Sequence, residues 1–256
     1  MAQIKANEAL VKALQTWNID HLYGIPGDSV DAVVDSLRTV RDQFKFYHVR
    51  HEEVASLAAA SYTKMTGKIG VALSIGGPGI VHLLNGMYDA KMDNVPQLII
   101  AGQTNSTLLG TKFFQETNIS KMVDDVAVYH HQIQKGDNVF EITNEAIRTA
   151  YEKKGVSVII CPNDLLTQKI KDTTNRAVDT TKPKPASPKF KSIKKAAKLI
   201  DKAKKPVMLI GLGTQHAKDE LREFIEAAKI PVIHTLPAKT ILPDDHPSVS
   251  YTHLRA

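Results

Sequence analysis

The chain has 256 residues, of which 43% are hydrophobic; that is enough for one large core or two ordinary ones, and too apolar for a disordered chain. No apolar run reaches the length of a bilayer span, and the one cysteine, Cys161, excludes an intramolecular disulfide and points to a reducing cytoplasm. The formal charge is +6 with many lysines between 169 and 205, but no aromatic residues are arrayed for base stacking, so this stretch reads as a solvated linker and helix face and not as a nucleic-acid surface. The first residues, 1–5, lead directly into a helical pattern, and no leader peptide is expected. Leu10, Val11, Leu14 and Trp17 share one face of a helix predicted over 7–17. A short strand at 21–23 is stopped by Gly24-Ile25-Pro26-Gly27. Ser29 is placed to cap the next helix, whose apolar face is Val30, Val33, Val34 and Leu37. A strand at 44–49 and an Ala-rich helix at 52–65 follow, the helix ending at Gly67. Residues 69–75 are nearly all apolar, as a strand buried on both faces requires. Gly76-Gly77-Pro78-Gly79 then turns the chain into a helix that reaches residue 90. Strands at 97–101 and 156–161 and a helix at 139–151 complete the first pattern.

Alternating strands and helices predict an α/β fold, a doubly wound parallel sheet, over residues 1–170. Residues 171–191 are rich in Thr, Lys and Pro and read as a linker. A second βα pattern opens at 192, with helices at 192–203 and 217–228 and strands at 207–210 and 232–233. It is short and looks unfinished at residue 247. Residues 248–256 are expected to lie outside the fold.

Three glycine-rich turns follow predicted strands: Gly24 to Gly27, Gly76 to Gly79, and Gly211-Leu212-Gly213. Such turns let a ligand approach the backbone near a helix start, though each is as readily structural. Gly211-Leu212-Gly213 lacks the third glycine of a dinucleotide fingerprint. His51, His82 and the pair His130-His131 invite a metal reading, but no acidic or cysteine partner recurs at ligand spacing, so they read as solvated or core histidines and no metal ligand is assigned.

Taken together, a set of motifs is more specific. Val49-Arg50-His51-Glu52-Glu53 opens the Ala-rich helix, and Gly76-Gly77-Pro78-Gly79, Asn85-Gly86, Asp89-Ala90, Asp93 with Pro96, Gly102-Gln103 and Phe114-Gln115-Glu116 follow in order. In order and spacing they resemble the pyrimidine-binding domain of the thiamine diphosphate enzymes, a family that includes pyruvate oxidases, acetolactate synthases and pyruvate decarboxylases. The likeness extends over residues 5–247, and the His21 to Gly27, Arg50 to Glu53 and Phe114 to Glu116 runs are most similar to those of pyruvate oxidases.

The resemblance implies that Glu52 is the catalytic carboxyl that bonds a ring nitrogen of the cofactor's aminopyrimidine, in an apolar setting where burial raises its pKa. Without the resemblance, Glu52 and Glu53 read as first-turn acids at the positive end of a helix dipole. Phe114 and Gln115 are implied to flank the reacting carbon, the ring shaping a small pocket for a methyl group and the amide meeting a carboxylate or carbonyl. Gly27, Gly76, Gly77, Pro78, Gly79 and Asn85 are the implied contacts to thiamine diphosphate. The second pattern resembles the start of the family's FAD-binding, Rossmann-like middle domain, with Gly211, Gly213, Thr214, Thr235 and Lys239 as implied contacts; Thr240 stands where many relatives have glycine. The family's Gly-Asp-Gly motif for Mg2+ and diphosphate is not in the sequence, since Gly27-Asp28 and Gly136-Asp137 lack its second glycine, so the metal site is expected in a region beyond this chain.

The implied activity of the longer protein is oxidative decarboxylation of pyruvate to acetyl phosphate or acetate and carbon dioxide. Electrons would pass through FAD to oxygen or a quinone. The alternatives are an acetolactate synthase-like carboligase and a non-catalytic fragment. Implied partners are pyruvate and further copies of the chain, as homodimer or homotetramer. The implied location is cytoplasmic, with peripheral contact at the inner membrane face if the acceptor is a quinone. On this reading the chain by itself is inactive.

Overall fold

A computed structural model gives the structure of the chain and describes residues 2–183, 186–215 and 217–254. The chain divides into two compact units, Met1–Lys184 and Pro185–Ala256.

The first unit opens with β1 (Gln3–Lys5) and α1 (Ala6–Thr16), followed by β2 (His21–Gly24), α2 (Asp31–Thr39) and β3 (Lys45–His48). Then come α3 (Glu52–Thr66), β4 (Gly70–Ser74), α4 (Pro78–Met92), β5 (Gln97–Gln103), α5 (Ile119–Val123) and β6 (Ala127–Gln132). It ends with α6 (Val139–Lys153), β7 (Val156–Pro162), α7 (Asn163–Leu166) and β8 (Lys169–Lys171). Six strands form one sheet in the order β3-β2-β4-β5-β7-β6, and every pairing in it is parallel. The predicted doubly wound sheet is therefore the observed one. β1 and β8 pair antiparallel as a separate two-stranded ribbon.

Successive strand residues point to opposite faces, and both faces are covered. Val71, Leu73, Leu98, Ile100, Ile159 and Cys161 face a core shared with α1, α2 and α6. Ala72, Ile99, Ala101, Val158 and Ile160 face the core formed with α3, α4 and α5. This is why the central strands are nearly continuous runs of apolar residues. Two polar anchors tie α6 to this frame: the Trp17 indole donates to the Asn144 side chain at 2.8 Å, and the Ile69 N–H donates to the Tyr151 hydroxyl at 2.8 Å. Cys161 is fully buried, and burial pushes its thiol up to about 12.

Several expectations are corrected. Ser29 does not cap α2: Val30 holds the cap position without a side-chain bond, and the Ser29 hydroxyl instead accepts the Gly76 N–H at 3.0 Å. β6 carries no sequence signal because it is an edge strand whose six residues are all half-buried. Much of the expected linker belongs to the first unit: Lys171 pairs with Gln3, and Arg176 forms an ion pair with Glu141 at 2.5 Å. Lys184 and Pro185, inside that stretch, lie outside the described residues.

The second unit consists of α8 (Phe190–Lys202), β9 (Met208–Ile210), α9 (Lys218–Ala228), β10 (Val232–Thr235) and β11 (Val249–Leu254). Its three strands are parallel in the order β11-β10-β9. The expectation that residues 248–256 stand outside the fold fails over β11, because a third strand satisfies the otherwise open edge of β10. Arg255 and Ala256 of that tail lie outside the described residues. The core is small, formed by Ile210, Ile225, Val232, Ala238, Ile241 and Leu242, and α8 buries none of its residues.

α3 and α4 pack closely against each other. A Cβ added at Gly86 would stand 2.5 Å from the Leu57 N–H nitrogen and 2.6 Å from the Ser56 carbonyl carbon, and neither backbone atom can move alone. Gly86→Ala should therefore lower unfolding stability by about 1–3 kcal/mol in urea titration, as overpacked cores do; an unchanged midpoint would mean the helices can separate freely.

Candidate functional site

In the first unit the predicted site residues, Asn85 apart, lie in segments that follow the carboxyl ends of the parallel strands. Neighbouring strands β2 and β4 connect to helices on opposite faces of the sheet, and at such a switch point the loops diverge and leave a crevice. Glu52 follows β3, Gly24 to Gly27 follow β2, and Gly76 to Gly79 follow β4, so all three segments border that crevice.

α3 begins at Glu52 because His51 acts as its cap, the imidazole Nδ1 accepting the Glu53 N–H at 3.3 Å. Glu52 is turned inward, with 13% of its side chain exposed, and its Oε2 lies 2.9 Å from Nδ1 of His82, one turn into α4. The His51 and His82 rings stack at 4.4 Å. Burial pushes the Glu52 carboxyl up, but the His82 hydrogen bond, the backbone N–H and the two neighbouring imidazoles outweigh it and hold the carboxyl below the ordinary range. The expected direction is thus reversed in this structure, and the cause is a histidine thirty residues away in sequence. The setting aside of His51 and His82 also needs correction: the fold brings both to Glu52, with one ligand-type atom of each within 4.8 Å of the others.

Glu53 and Asn85 form a second pair across the same helices, the Asn85 amide donating to the Glu53 carboxylate. Asn85, expected at the cofactor, is thus engaged in bracing α3 against α4.

Beside this helix pair, a cavity of about 230 Å³ is lined by Asp28, Ser29, Gly76, Gln103, Phe114 and Gln115, among others. The structure therefore brings Phe114, Gln115 and Gly76 together. Phe114 is 78% exposed, so it is a rim residue and not part of the core. Gly77 has φ 63° and would place a Cβ 2.9 Å from the Gln115 carbonyl oxygen; Gly76 would place one 2.9 Å from the Gly102 carbonyl oxygen. These glycines let the Gln115 backbone lie on the turn, with Pro78 as the first residue of α4, and Gly79 packs more closely still, on the Ser74 side chain. Gly27 plays the same part against Ile75 at 2.7 Å.

Sequence reasoning missed what holds the 110–116 loop. The Glu116 carboxylate accepts the N–H groups of Gly110 at 2.5 Å and Phe113 at 3.1 Å, and these backbone bonds lower its pKa. It also missed Asp164, which accepts the Ser106 N–H at 2.7 Å and hydroxyl at 2.6 Å and fixes the start of the same segment. The Asp164 pairing has no local pattern, since Asp164 and Ser106 are 58 residues apart.

In the second unit, Gly211 and Gly213 follow β9, and a Cβ at either would meet nothing within 4 Å. Thr214 closes the turn on itself, its hydroxyl donating to the Gly211 carbonyl at 2.8 Å. Thr235 ends β10 and is nearly buried, and Lys239 pairs with Asp244 at 3.1 Å. The turn after each of these two parallel strands thus stands at the same edge of the unit's small sheet.

The family model described as the thiamine pyrophosphate enzyme N-terminal TPP-binding domain matches residues 4–122, and the model for the central domain of the same enzymes matches residues 193–254. The chain belongs to the thiamine pyrophosphate enzyme family. It is 47% identical over 247 residues to the thiamine pyrophosphate-containing protein YdaP of Bacillus subtilis, a name that assigns no reaction, covering 96% of this chain and 43% of that one. It is 38% identical to pyruvate oxidase of Lactiplantibacillus plantarum, over 96% of this chain and 41% of the relative, and 34% identical to acetolactate synthase of Mycobacterium leprae, over 95% and 40%. The chain thus spans about two-fifths of the length of these relatives.

If His82 is what holds the Glu52 carboxyl down, His82→Gln should raise it. Carbon-detected NMR titration of the glutamate side chains is the measurement. Because a lowered carboxyl stabilises the fold above its unfolded value and ceases to do so as pH falls through the folded value, the variant should also lose less stability on acidification than the parent. An unmoved Glu52 titration would assign the shift to the helix terminus alone.

Proposed function

We propose that this region is the pyrimidine-binding part, with the beginning of the flavin-binding part, of a pyruvate oxidase. The observation that carries the reading is the inward carboxyl of Glu52 at the first turn of α3, beside the switch-point crevice. The residues present fit the aminopyrimidine end of thiamine diphosphate: a largely buried carboxyl, a glycine turn packed closely against the Gln115 backbone, and a cavity with polar and aromatic walls. When bound, that cofactor supplies the electron sink for decarboxylation.

The chain's own groups do the rest. Glu52 would hold a pyrimidine ring nitrogen through its carboxyl, which loss of water on binding would shift toward its protonated form. His82, already bonded to that carboxyl, is placed to receive or return the proton. Phe114 narrows the mouth of the cavity, and the Gln115 side chain offers both a donor and an acceptor to a small keto acid. Glu116 holds both in place by fixing the loop backbone. FAD fits the second unit less completely: the Gly211 to Gly213 turn leaves room for a ligand, while Lys239 is committed to Asp244. Mg2+ is not assigned to this chain: the Gly-Asp-Gly motif is not in the sequence, and Asp137 of the partial match Gly136-Asp137 already binds His131 at 2.7 Å and the Gln134 N–H at 2.8 Å. The metal and diphosphate are therefore assigned to another part of the longer protein.

Exposed Val54, Val81 and Met92 on α3 and α4 support self-association of that protein, as homodimer or homotetramer. Among the described residues no helix is long and apolar enough to cross a membrane; a cytoplasmic location, with peripheral membrane contact for a quinone-linked enzyme, is part of the proposal. The second reading, an acetolactate synthase-like carboligase, is favoured by the comparable 34% identity to such an enzyme. On the oxidase reading the electrons pass to oxygen or a quinone and the product is acetyl phosphate or acetate.

A chimera joining this region to the remainder of the Bacillus subtilis relative tests the reading. Pyruvate added under nitrogen should bleach a bound flavin in the chimera, whereas acetolactate without net flavin reduction would favour the ligase. Glu52→Gln should abolish either activity while leaving the circular dichroism spectrum unchanged; turnover near that of the parent would remove Glu52 from the mechanism. Phe114→Ala should reduce pyruvate turnover but shift stability by no more than about 0.5 kcal/mol, as expected for an exposed side chain. A collapse in melting temperature would show that the ring is structural after all.

A further inference from the structure

We infer that His51, Glu52 and His82 form a binding site for a divalent transition-metal ion of the zinc class. Two imidazoles and one carboxylate are the donor set that such ions take, with remaining positions left to water. The three side chains each offer one ligand atom, and these atoms all lie within 4.8 Å of one another. Zinc with nitrogen and oxygen ligands at about 2.0–2.2 Å sets neighbouring ligand atoms roughly 3–3.5 Å apart. His82 Nδ1 and Glu52 Oε2, at 2.9 Å, already stand near that separation, so an ion would replace the hydrogen they share. His51 and His82 are about half exposed, at 47% and 42%, so their rings can turn to close the set without repacking the core, and the ion can enter from solvent.

Charge is also adequate. The amino end of α3 repels a cation, but two carboxylates oppose it: Glu52 in the set and Glu53, whose Oε2 is 3.8 Å from His51. The other histidine–acid contacts among the described residues of the first unit are simple pairs: His21 with Asp20, His131 with Asp137 and His130 with Asp124. Among the described residues the trio is the grouping of this kind. Magnesium, which takes oxygen ligands in a near-octahedral shell, is not suited to two imidazoles.

Binding is tested on the 256-residue chain itself by calorimetric titration with Zn2+, with Mg2+ as the comparison and Co2+ absorption as a report of coordination geometry. One saturable zinc equivalent is expected, with no matching magnesium heat. His82→Gln should weaken it at least about tenfold, the loss seen even when groups one shell further from a metal are removed. His51→Asn should do the same while keeping a good helix cap, and it decides the matter if His82→Gln does not fold. His131→Gln should bind as the parent does. Saturable zinc binding that survives both His82→Gln and His51→Asn, or no zinc binding beyond the magnesium level, overturns the assignment. The test involves neither pyruvate nor thiamine diphosphate, so it fails or succeeds independently of the oxidase reading.

Discussion

The close crossing of α3 and α4 is the constraint from which the site follows. The Ala-rich face of α3, with Ala55, Ala59 and Ala60 fully buried, presents little bulk, and Gly86 presents none where the helices meet. Gly70 does the same for β4 under the Ala59 carbonyl. Only at this spacing can a carboxyl at the start of one helix reach an imidazole on the next. The Glu53–Asn85 pair and the Lys64 ammonium, held between Asp89 at 2.7 Å and Asp93 at 2.6 Å, then fix the register of the helices along their length. The chemistry of Glu52 is thus set by what is absent from neighbouring side chains as much as by what is present.

The central strands and the long helices were legible because their burial is simple. β4, β5 and β7 are covered on both faces and so are nearly continuous apolar runs, broken by only a few buried polar residues such as Gln97 and Ser157. α3 announces its end with Gly67, whose φ of 67° suits glycine. β6 was illegible for the opposite reason, since a half-buried edge strand can carry Tyr129, His130, His131 and Gln132 without penalty. β1 and β8 have three residues each and no periodicity to detect.

The candidate site was legible in its members more than in its relations. Glu52, Phe114 and Gln115 stand out through motif resemblance; the fold puts Phe114 and Gln115 on the wall of one cavity and Glu52 against His82. The contacts that tune them do not show in a linear reading. His82 looks like an ordinary helix residue until α4 is laid on α3, and Glu116 looks like a surface acid until the backbone curls around it. The direction of the Glu52 shift was misjudged because burial was visible in the Ala-rich sequence and the opposing hydrogen bond was not.

Cys161 has a practical consequence. Its sulfur lies inside a strand covered on both sides, and at neutral pH it remains a protonated, sheltered thiol. An alkylating or fluorescent thiol reagent should therefore ignore the folded protein and mark only molecules in which the sheet has opened. The chain carries a built-in, single-copy reporter of its own unfolding. A cysteine introduced on any exposed loop would accept a label with no native background to subtract.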